Sequence, residues 1–316
     1  MTSVLVTGCA GFIGSHLVDF LLSKGATVTG IDNFRTGKRN NLASALANPR
    51  FVLLEMDICD SSLLQRVAET YDTIFHLAAV SSVKLSVENP ALVHRNNVDG
   101  TLNVLELARI RDAKRVVLSS SAAVYGNPSS LPVNEESPLN PQSPYAASKI
   151  SAEEYLIAYG NSYGIEPVIL RYFNVYGPRQ TCSEYSGVLS IFINQALNSE
   201  PITIEGDGKQ TRNFIYVDDV VRATYLASEA NRARGETINI SGSEAISVLQ
   251  VAQAVLSAVG QTSSRIVHLP ERKGDLRDSI GSMSKARRLL RFKPQVSLND
   301  GLRRTVEWHQ LESCSP

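Results

Sequence analysis

The chain has 316 residues, of which 43% are apolar and 20% charged, a composition typical of a folded globular protein that excludes the disordered, collagen-like and coiled-coil classes. Its 31 Lys and Arg residues balance its 31 Asp and Glu residues, so no net field attracts nucleic acid or an anionic membrane. The four cysteines are widely spaced, the first residues show no basic or apolar leader, and no apolar run approaches the roughly 20 residues that span a bilayer. We therefore expect a two-lobed cytoplasmic protein without a disulfide framework or a metal site.

Short apolar, β-branched segments alternate with amphipathic segments through the first half of the chain. This pattern predicts a parallel sheet that is covered by helices on both faces. The predicted strands are Val4–Thr7, Val28–Ile31, Phe51–Met56, Thr73–Leu77, Val116–Ser119 and Val168–Arg171. Apolar residues at helical spacing between Phe12 and Leu22, with Gly25 as a stop, predict a helix between the first two strands. Long helices are expected at Pro90–Asp112 and Tyr145–Tyr163.

A connection rich in Pro, Ser and Asn, Gly126–Pro144, separates these two helices, and we expect it to lie over a site. The regular alternation ends after Arg171, which predicts that a second, smaller lobe begins there. The expected elements after this point are a helix at Gly187–Asn198 in the lobe, and a helix at Val217–Glu229 and a strand at Thr237–Ile240 that could rejoin the first sheet. The predicted domains are residues 1–174, which 213–241 rejoin, and a lobe formed by residues 175–212 and 242–316.

The first predicted strand leads into Gly8-Cys9-Ala10-Gly11-Phe12-Ile13-Gly14, a GxxGxxG pattern at the start of a helix. Glycines permit a tight turn and a close approach of backbone N–H groups to a pyrophosphate, and the helix N-terminus favours its negative charge. Asp32 ends the second strand, where a carboxylate can accept hydrogen bonds from adenosine ribose hydroxyls. Because Asp32 would repel a 2′-phosphate, the sequence favours NAD over NADP, although Arg35 and Lys38 are nearby cations.

Two further strand ends fit a dinucleotide. Asp57 and Ile58 follow the third strand and are predicted to meet the adenine, although Asp57 could equally cap a helix that includes Leu64. The fourth strand ends at Leu77-Ala78-Ala79, which is expected to pass beneath the diphosphate.

Tyr145 and Lys149 stand four residues apart at the start of a predicted helix, so phenol and ammonium project from the same face. An adjacent cation and an oxidised nicotinamide favour the phenolate. Such a pair is also common as a plain surface contact. Upstream, however, Ser119, Ser120 and Ser121 end a strand where open parallel sheets bind ligands. Ser121 could bind a sugar hydroxyl and relay its proton to Tyr145, whereas turn formation is the alternative role for these serines.

With these residues assembled, the chain resembles an extended short-chain dehydrogenase/reductase, and specifically the nucleotide-sugar 4-epimerases, over almost its whole length. The resemblance rests on Gly8-x-x-Gly11-x-x-Gly14, Asp32-Asn33, His76-Leu77-Ala78-Ala79, Asn96-Asn97-Val98-x-Gly100-Thr101, Ser119-Ser120-Ser121-x-x-Val124-Tyr125-Gly126, Tyr145-x-x-x-Lys149 and Arg171-Tyr172-Phe173-Asn174. It implies an α/β fold, a Rossmann-type doubly wound parallel sheet with a smaller α/β substrate-binding lobe, with NAD as cofactor and a UDP-sugar as substrate.

The resemblance also implies individual roles. Tyr145 would be the base, Lys149 would hold the nicotinamide ribose and acidify Tyr145, and Ser121 would bind the sugar. The implied cofactor residues are Gly8, Gly11, Phe12, Ile13, Gly14, Asp32, Asn33, Asp57, Ile58, Leu77, Ala78, Ala79, Asn97, Ser119, Tyr145, Lys149 and Tyr172. The implied substrate residues are Ser121, Asn174, Val188, Arg212, Arg272, Asp275 and Ser279. Solvated surface charge is the alternative for the two arginines.

Ala122 and Ala123 stand where the resembling 4,6-dehydratases carry Asp-Glu and where UDP-glucuronate decarboxylases usually carry Glu. Oxidation and re-reduction at C4 is therefore the expected chemistry. Ser279 follows Asp275 by four positions, where in resembling enzymes Tyr confines the substrate to plain hexoses and a small residue admits an N-acetyl group. The resemblance thus favours UDP-N-acetylglucosamine and UDP-N-acetylgalactosamine, with UDP-glucose and UDP-galactose also accepted, unless Ser279 merely sits in a turn.

Two other functions stay open on the sequence. A UDP-glucuronate 4-epimerase would need a cation for the sugar carboxylate, and the candidates are Lys84, Arg95 and Arg179. A non-catalytic NAD-binding regulatory protein would not need Tyr145 and Lys149, which are both present. The resemblance further implies a homodimer, held by a four-helix bundle to which each subunit contributes Pro90–Asp112 and Tyr145–Tyr163. Neither nucleic acid nor a membrane is an expected partner.

Overall fold

The computed structural model describes residues 2–60, 62–180, 187–271 and 278–313. Its strands are β1 Ser3–Thr7, β2 Thr27–Asp32, β3 Phe51–Glu55, β4 Thr73–His76, β5 Arg115–Ser121, β6 Glu166–Tyr172, β7 Val175–Tyr176, β8 Ile202–Glu205, β9 Thr211–Asn213, β10 Ile215–Tyr216, β11 Glu236–Ile240, β12 Ala245–Ser247, β13 Ile266–Leu269 and β14 Asp278–Ser279. Its α-helices are α1 Phe12–Ser23, α2 Ala43–Leu46, α3 Leu63–Arg66, α4 Val83–Glu88, α5 Pro90–His94, α6 Gly100–Ile110, α7 Pro144–Tyr163, α8 Val188–Leu197, α9 Val217–Glu229, α10 Val248–Val259, α11 Ser284–Leu290 and α12 Leu298–Ser313.

The central sheet has seven strands in the order β11-β6-β5-β4-β1-β2-β3, and each neighbouring pair is parallel. The chain adds strands on one side of β1 and then reverses to the other side through β4. The carboxyl ends of β1 and β4 therefore flank a topological switch point, where open α/β sheets bind their ligands. The predicted fold class, a doubly wound parallel sheet, is confirmed.

Alternate residues of each strand face opposite layers, as the pleat of a buried sheet requires. In β1, Val4 and Val6 pack in the layer that contains Leu17 of α1. The intervening Leu5 packs in the opposite layer, which contains Leu105 of α6. The near-continuous apolar character of the predicted strands follows from this burial on both faces.

The predicted helix Pro90–Asp112 is observed in three parts: α5, a π-helical turn at Arg95–Asp99, and α6. Helix α7 begins one residue before its predicted start because Pro144 occupies the first turn and the Ser143 hydroxyl accepts a hydrogen bond from the Ala146 N–H. It ends at Gly164, which adopts a left-handed conformation. The two long helices predicted from sequence are thus present, one of them interrupted.

Smaller sheets complete the molecule: β12-β9-β14, β13-β8 and β10-β7. Strand β11 joins the edge of the central sheet, parallel to β6. The predicted helix at Gly187–Asn198 is α8, and α9 has its predicted bounds. Within the described ranges, no helix combines the length and apolar character needed to cross a bilayer.

Candidate active site

The glycine loop between β1 and α1 lies directly against the segment that follows β4. Gly8 has φ +71°, and a Cβ at this position would lie 2.7 Å from the Ala78 nitrogen. A Cβ on Gly14 would lie 2.0 Å from the Gly8 carbonyl oxygen. These two positions therefore require glycine. No side chain caps the first turn of α1 in the described structure, so its N–H groups are available to an anion.

An open cleft lies beside this loop at the carboxyl ends of the strands. Its lining includes many of the residues predicted to hold the cofactor, namely Gly8, Gly11, Asp32, Asn33, Asp57, Ile58, Leu77, Ala78 and Ala79. Phe12 and Ile13 open α1, where their backbone lies in the first helical turn. A pyrophosphate cradle and an adjoining cleft are the features that a bound dinucleotide needs.

Asp32 joins the glycine loop to the segment after β2. Its Oδ2 accepts a hydrogen bond from the Ala10 N–H at 2.9 Å, and its Oδ1 accepts one from the Phe34 N–H at 2.8 Å. Burial raises the pKa of Asp32, and these backbone hydrogen bonds oppose that rise only in part. Since a carboxylate offers about four acceptor positions, Asp32 keeps capacity for ribose hydroxyls.

Asn33 and Asp57 form one polar edge of the cleft. The Asn33 Nδ2 donates to Asp57 Oδ2 at 2.8 Å, and the Cys59 N–H donates to Asp57 Oδ1 at 2.9 Å. Partial burial raises the pKa of Asp57, but these hydrogen bonds outweigh it and leave the pKa below its usual value. Helix α3 has Ser62 as its N-cap residue, so the alternative prediction that Asp57 caps this helix is wrong.

A buried hydrogen-bonded chain runs from the cleft to the π-helical turn. Thr101 donates to the Asn97 carbonyl at 2.6 Å, so its Oγ1 accepts from His76 Nε2 at 2.9 Å. His76 Nδ1 then accepts from Thr7 Oγ1 at 2.8 Å, and Thr7 Oγ1 accepts from the Ala78 N–H at 3.2 Å. Burial lowers the pKa of His76 to about 3, so the imidazole stays neutral and the tautomer is fixed. The chain holds Ala78 against the glycine loop.

Asn97 lies behind the cleft, and its amide is engaged by the protein. Its Oδ1 accepts from the Val80 N–H at 2.8 Å, and its Nδ2 donates to the Val80 carbonyl at 3.0 Å and to Ser148 Oγ at 2.9 Å. Ser148 lies between Tyr145 and Lys149 on α7. The residue predicted to lie near the cofactor therefore ties the π-helical turn to this helix, while its neighbours Asn96 and Val80 line the cleft.

Tyr145, Lys149 and Ser121 come together at the carboxyl end of β5. The Lys149 Nζ donates to the Ser119 carbonyl at 2.8 Å, and the Ser121 side chain lies close enough to the Tyr145 hydroxyl to lower its pKa. Ser121 Oγ also accepts from the Ala123 N–H at 3.2 Å, capping the 3₁₀ helix at Ala122–Tyr125. All three serines belong to β5, so the turn alternative is wrong for Ser119 and Ser120, and Ser121 combines a cap with a contact to Tyr145.

The electrostatics of this group are set by burial. Burial raises the pKa of Tyr145, and the Ser121 hydrogen bond lowers it in part. Burial lowers the pKa of Lys149 to about 8, against the opposing effect of the Glu153 charge. The acidification of Tyr145 by Lys149 therefore stays a prediction for the cofactor-bound enzyme.

Tyr172 lies in the opposite layer from α7. Its hydroxyl contacts Thr224 Oγ1 at 2.7 Å, and Thr224 donates to the Val220 carbonyl, so the phenol is the donor. Burial raises the pKa of Tyr172 far above its usual value. The position of Tyr172 beside the nicotinamide stays a prediction.

Asn213 contacts the segments that carry the predicted substrate residues Asn174 and Ser279, and it follows Arg212 in the chain. Ser279 of β14 pairs with Arg212 of β9 in a parallel register, and paired residues of parallel strands point to the same face. Asn174 Nδ2 donates to the Asn213 carbonyl at 3.0 Å. Asn213 Oδ1 accepts from the Gly281 N–H at 2.9 Å. Because Ser279 belongs to a strand, the turn interpretation of this residue is wrong.

Val188 begins α8 and is partly buried against the core. Arg272 and Asp275 lie outside the described residues. Sequence reasoning missed Asn213, whose only signal is its position beside Arg212. It also missed the role of Thr7 and Thr101, whose hydroxyls resemble those of any buried threonine. In the described ranges, no group of three His, Cys, Asp or Glu side chains is arranged to hold a metal ion.

A sequence profile described as "NAD dependent epimerase/dehydratase family" matches residues 4–241, which is most of the chain. The chain belongs to the NAD-dependent epimerase/dehydratase family. A family member from Mycolicibacterium smegmatis, a UDP-glucose 4-epimerase, is 40% identical over 311 residues, which cover 98% of this chain and 99% of the relative. A putative UDP-glucose 4-epimerase from Methanocaldococcus jannaschii is 40% identical over 307 residues, 96% of this chain and 97% of its own length.

Solved structures of family members agree with the fold. The UDP-glucose 4-epimerase of Thermotoga maritima with UDP-glucose superposes with a TM-score of 0.92 at 38% identity, over 98% of this chain and 99% of that chain. The UDP-N-acetylglucosamine 4-epimerase of Methanobrevibacter ruminantium, in complex with UDP-N-acetylmuramic acid, gives a TM-score of 0.93 at 36% identity over the same shares. The UDP-glucuronic acid 4-epimerase of Bacillus cereus, with UDP-glucuronic acid and NAD, gives 0.91 at 36% identity over the same shares.

This epimerase is therefore an NAD-dependent isomerase of the UDP-sugar 4-epimerase group, and the alternative of a non-catalytic regulatory protein is wrong. The structure fits the cofactor independently of these relatives. Gly8 and Gly14 leave no room for a Cβ, and the cleft beside them is continuous with the predicted adenosine residues. NAD is the cofactor that these residues would hold.

Proposed function

We propose that this enzyme interconverts UDP-N-acetylglucosamine and UDP-N-acetylgalactosamine, and that it also accepts UDP-glucose and UDP-galactose. The observation that carries the proposal is the meeting of Tyr145, Ser121 and Lys149 at one strand end, beside a cleft that fits NAD. Ala122 and Ala123 follow Ser121 and offer no carboxylate for elimination or decarboxylation. Inversion at C4 is the chemistry that these residues support.

NAD, when bound, supplies a reversible hydride acceptor for C4, so the sugar passes through a 4-keto state. Tyr145 takes the proton of the C4 hydroxyl and returns it when the sugar is reduced again. Ser121, whose side chain lies near the Tyr145 hydroxyl, would bind the same region of the sugar and keep the phenol oriented. These two side chains hold and move one proton at O4.

Lys149 acts through its charge and its hydrogen bonds. An ammonium has three donors, and the Ser119 carbonyl takes one of them. The remaining donors would hold the nicotinamide ribose. As a buried cation near Tyr145, Lys149 would favour the phenolate, which is the form that accepts a proton.

The nucleotide part of the substrate would be anchored by Asn174, the last residue of the first predicted domain, and by Arg212, Arg272 and Asp275 of the smaller lobe. Tight binding of a part that does not react allows the sugar to be held loosely. Loose binding is needed because the 4-keto sugar must present both faces in turn. Val188 at the start of α8 would pack beside the nucleotide.

Ser279 is the residue that would leave space for the N-acetyl group of the sugar. Its side chain is small, and the register of β14 and β9 places it beside Arg212, one of the proposed anchors. A tyrosine at this position would occupy the space that an acetamido group needs. The Methanobrevibacter ruminantium enzyme named above shows that members of this group act on N-acetylated sugars.

The test is proton NMR of the purified enzyme with UDP-N-acetylglucosamine, UDP-glucose and UDP-glucuronate in separate tubes. The anomeric signals should report galacto products from the first two substrates. Ser279→Tyr should abolish conversion of UDP-N-acetylglucosamine and leave UDP-glucose conversion largely intact. Ser284→Tyr, at the exposed first residue of α11, should change neither. Equal loss of both substrates in Ser279→Tyr would refute its proposed role in sugar choice.

A UDP-glucuronate 4-epimerase is the second candidate, which relatives of that activity favour. It needs a cation at the sugar carboxylate. Arg179 pairs with Asp19 of α1 at 2.8 Å, and Lys84 pairs with Glu88 on the surface of α4 at 3.9 Å. These pairings engage two of the three candidate cations, and Arg95 stays a candidate. Preferential turnover of UDP-glucuronate in the panel would favour this second function.

We further propose that the enzyme is a homodimer. Exposed apolar side chains on α4 and α7 support this arrangement: Val83, Val87, Tyr155, Ile157 and Tyr163. The two helices contact each other, so these side chains lie on adjoining elements. A second copy that packs on this surface would cover them.

A further inference from the structure

A buried ion pair lies one helical turn beyond Lys149. Glu153 is only 2% exposed and accepts hydrogen bonds from Arg171 of β6, from Nε at 3.0 Å and from Nη2 at 2.6 Å. The Ser120 hydroxyl donates to the same carboxylate. None of these three side chains has a part in the proposed chemistry.

The ion pair lies beside the contacts that α7 makes with the carboxyl end of β5. Ser120 lies between Ser119, whose carbonyl accepts from Lys149, and Ser121, whose side chain lies near the Tyr145 hydroxyl. A bond from Ser120 to α7 at Glu153 therefore fixes the same strand segment against the same helix a third time. The register of α7 along β5 depends on this contact.

The far side of Arg171 reaches the connection that precedes α7. Its Nη1 donates to the Tyr125 hydroxyl at 2.9 Å and to the Glu135 carbonyl at 3.4 Å. The Tyr125 hydroxyl donates in turn to Asn239 Oδ1 at 2.7 Å. The Glu153–Arg171 pair thus links three parts of the structure. These are helix α7, the carboxyl ends of β5 and β6, and the connection between β5 and α7.

Removing two charges from water is costly, so a buried ion pair is weak evidence of a stabilising role. Apolar side chains of similar size would fill the same space at no such cost. The position of Glu153 beside Lys149 gives the pair another function.

We propose that Glu153 is a positioning residue, which holds α7 in register through Ser120 and Arg171 and presents its negative charge to Lys149. This inference rests on the proposed function. It assigns no contact between Glu153 and the substrate or the cofactor.

The titratable and charged groups in the neighbourhood of Lys149 belong to three elements. Helix α7 contributes Tyr145 and Glu153, β4 contributes His76, and β6 contributes Arg171. The two neighbours that are not ionised at neutral pH are His76, whose pKa is lowered to about 3, and Tyr145, whose pKa is raised. Arg171 is paired with Glu153 itself. The Glu153 carboxylate therefore raises the pKa of Lys149 against burial, which lowers it to about 8.

The test is the Glu153→Gln variant of the NAD-loaded enzyme. Loss of the negative charge destabilises the ammonium, so the pKa of Lys149 should fall by about one unit. The ¹³Cε resonance of labelled Lys149 can be assigned by its disappearance in Lys149→Met. A pH titration of this resonance gives the midpoint of Lys149 deprotonation, which is its pKa. The alkaline limb of kcat against pH should move to lower pH by the same amount, with little change in KM for the UDP-sugar.

Glu166→Gln is the matched control. Glu166 accepts from Arg115 at 2.7 Å and joins β5 to β6 at the opposite end of the strands. Each variant leaves a buried arginine without its carboxylate partner, Arg171 in Glu153→Gln and Arg115 in Glu166→Gln, and should therefore unfold more easily. Only Glu153→Gln should move the Lys149 midpoint. An unchanged midpoint in Glu153→Gln, or an equal shift in Glu166→Gln, would overturn the inference.

If Glu153→Gln does not fold, the double variant Glu153→Gln with Arg171→Met should fold, because neither member of the ion pair is left buried without the other. Glu153 is the charge that acts on Lys149, and loss of the Arg171 cation offsets only part of its removal. The Lys149 midpoint of the double variant should therefore fall by less than that of Glu153→Gln, and an unchanged or raised midpoint would again overturn the inference. A wild-type enzyme that converts no UDP-sugar, with a Lys149 midpoint that still responds to Glu153, would instead refute the proposed function alone.

Discussion

At the scale of single residues, Tyr145 has an unusual position for a phenol. It is buried, its hydroxyl lies near the Ser121 side chain, and burial holds its pKa above the usual value. Such a group becomes a proton acceptor only when a cation and the substrate complete its surroundings. The residue therefore suits a proton transfer that occurs only in the assembled complex.

Tyr145→Phe should lower kcat by roughly 10²- to 10⁴-fold, because general acid–base catalysis is lost while the ring that packs at this position is kept. NAD content, measured on the denatured protein by chromatography, should stay unchanged. Tyr225→Phe on α9, which is remote from Ser121, should keep wild-type kcat. Full activity of Tyr145→Phe would show that another group accepts the proton.

His76 predicts how stability depends on pH. Its native pKa is about 3, whereas a histidine in the unfolded chain has a pKa near ~6.5. Between these values the unfolded chain binds a proton that the native state excludes. The free energy of unfolding should therefore decrease as pH falls below ~6.5, by up to about 1.4 kcal/mol per pH unit from this residue.

Urea unfolding of the wild type and of His76→Gln at pH 7, 6 and 5 measures this contribution. Gln does not titrate, so the two unfolding free energies should converge as the pH falls. Parallel pH dependences in the two proteins would show that His76 is not the buried neutral group described above.

The residues proposed to carry the chemistry could be read from the sequence, since Tyr145 and Lys149 have a fixed spacing and Asp32 ends a recognisable strand. The partners that hold them could not. Asn97, for example, was expected at the cofactor but uses its amide on Val80 and Ser148, a pairing between segments that are far apart in sequence. Hydrogen-bond partners of this kind are set by the tertiary fold, which leaves no local pattern.

At the scale of elements, the interrupted helix between Pro90 and Ile110 shows a similar limit. Periodicity predicts one helix, and the structure inserts a π-helical turn at Arg95–Asp99. This turn carries Asn97, and such turns frequently occur at functional sites. By contrast, the Ser143-Pro144 start and the Gly164 stop of α7 are local signals, so its bounds were predicted to within one residue.

The pairing of β14 with β9 is the element contact on which substrate binding depends in this account. Asn213 supports it, because its Oδ1 accepts from the Gly281 N–H and its Nδ2 donates to the Glu244 carbonyl at 2.6 Å. Asn213→Ala leaves both backbone groups without these partners and should loosen β14 against Arg212.

Asn213→Ala should raise KM for the UDP-sugar about tenfold with kcat nearly unchanged, since loss of a buried hydrogen-bond partner costs about 1–3 kcal/mol. Steady-state NMR rates at several substrate concentrations measure both constants. Asn198→Ala, at the exposed end of α8, should change neither. A fall in kcat without a change in KM would place Asn213 in the chemical step instead of the anchor.

At the scale of the whole molecule, the neutral net charge requires that anionic ligands be held by local groups. The fold supplies them at the switch point of the sheet, where the glycine loop, α1 and the strand ends converge. The alternation of segments was enough to predict this sheet and all of its first six strands. The smaller lobe was predicted less completely, because its sheets pair β9 with β12 and β14 across long stretches of chain.

The proposed homodimer predicts a single two-chain species in sedimentation equilibrium. Val87, which is 64% exposed on α4, should lie in the interface, so Val87→Asp should shift the protein to monomers. Val52→Asp, at a similarly exposed site on edge strand β3, should leave the dimer intact. A wild-type protein that sediments as a monomer at all concentrations would refute the dimer.

Transfer of a hydride to NAD and back requires that the hydrogen at C4 leave the sugar and return to it without exchange with water. The enzyme should therefore be incubated in ordinary water with UDP-N-acetylglucosamine that carries deuterium at C4, and the product analysed by NMR and mass spectrometry. The expected product is UDP-N-acetylgalactosamine that keeps its deuterium at C4. A product with hydrogen at C4 would rule out hydride transfer through NAD, because the inversion would then proceed through proton exchange with solvent.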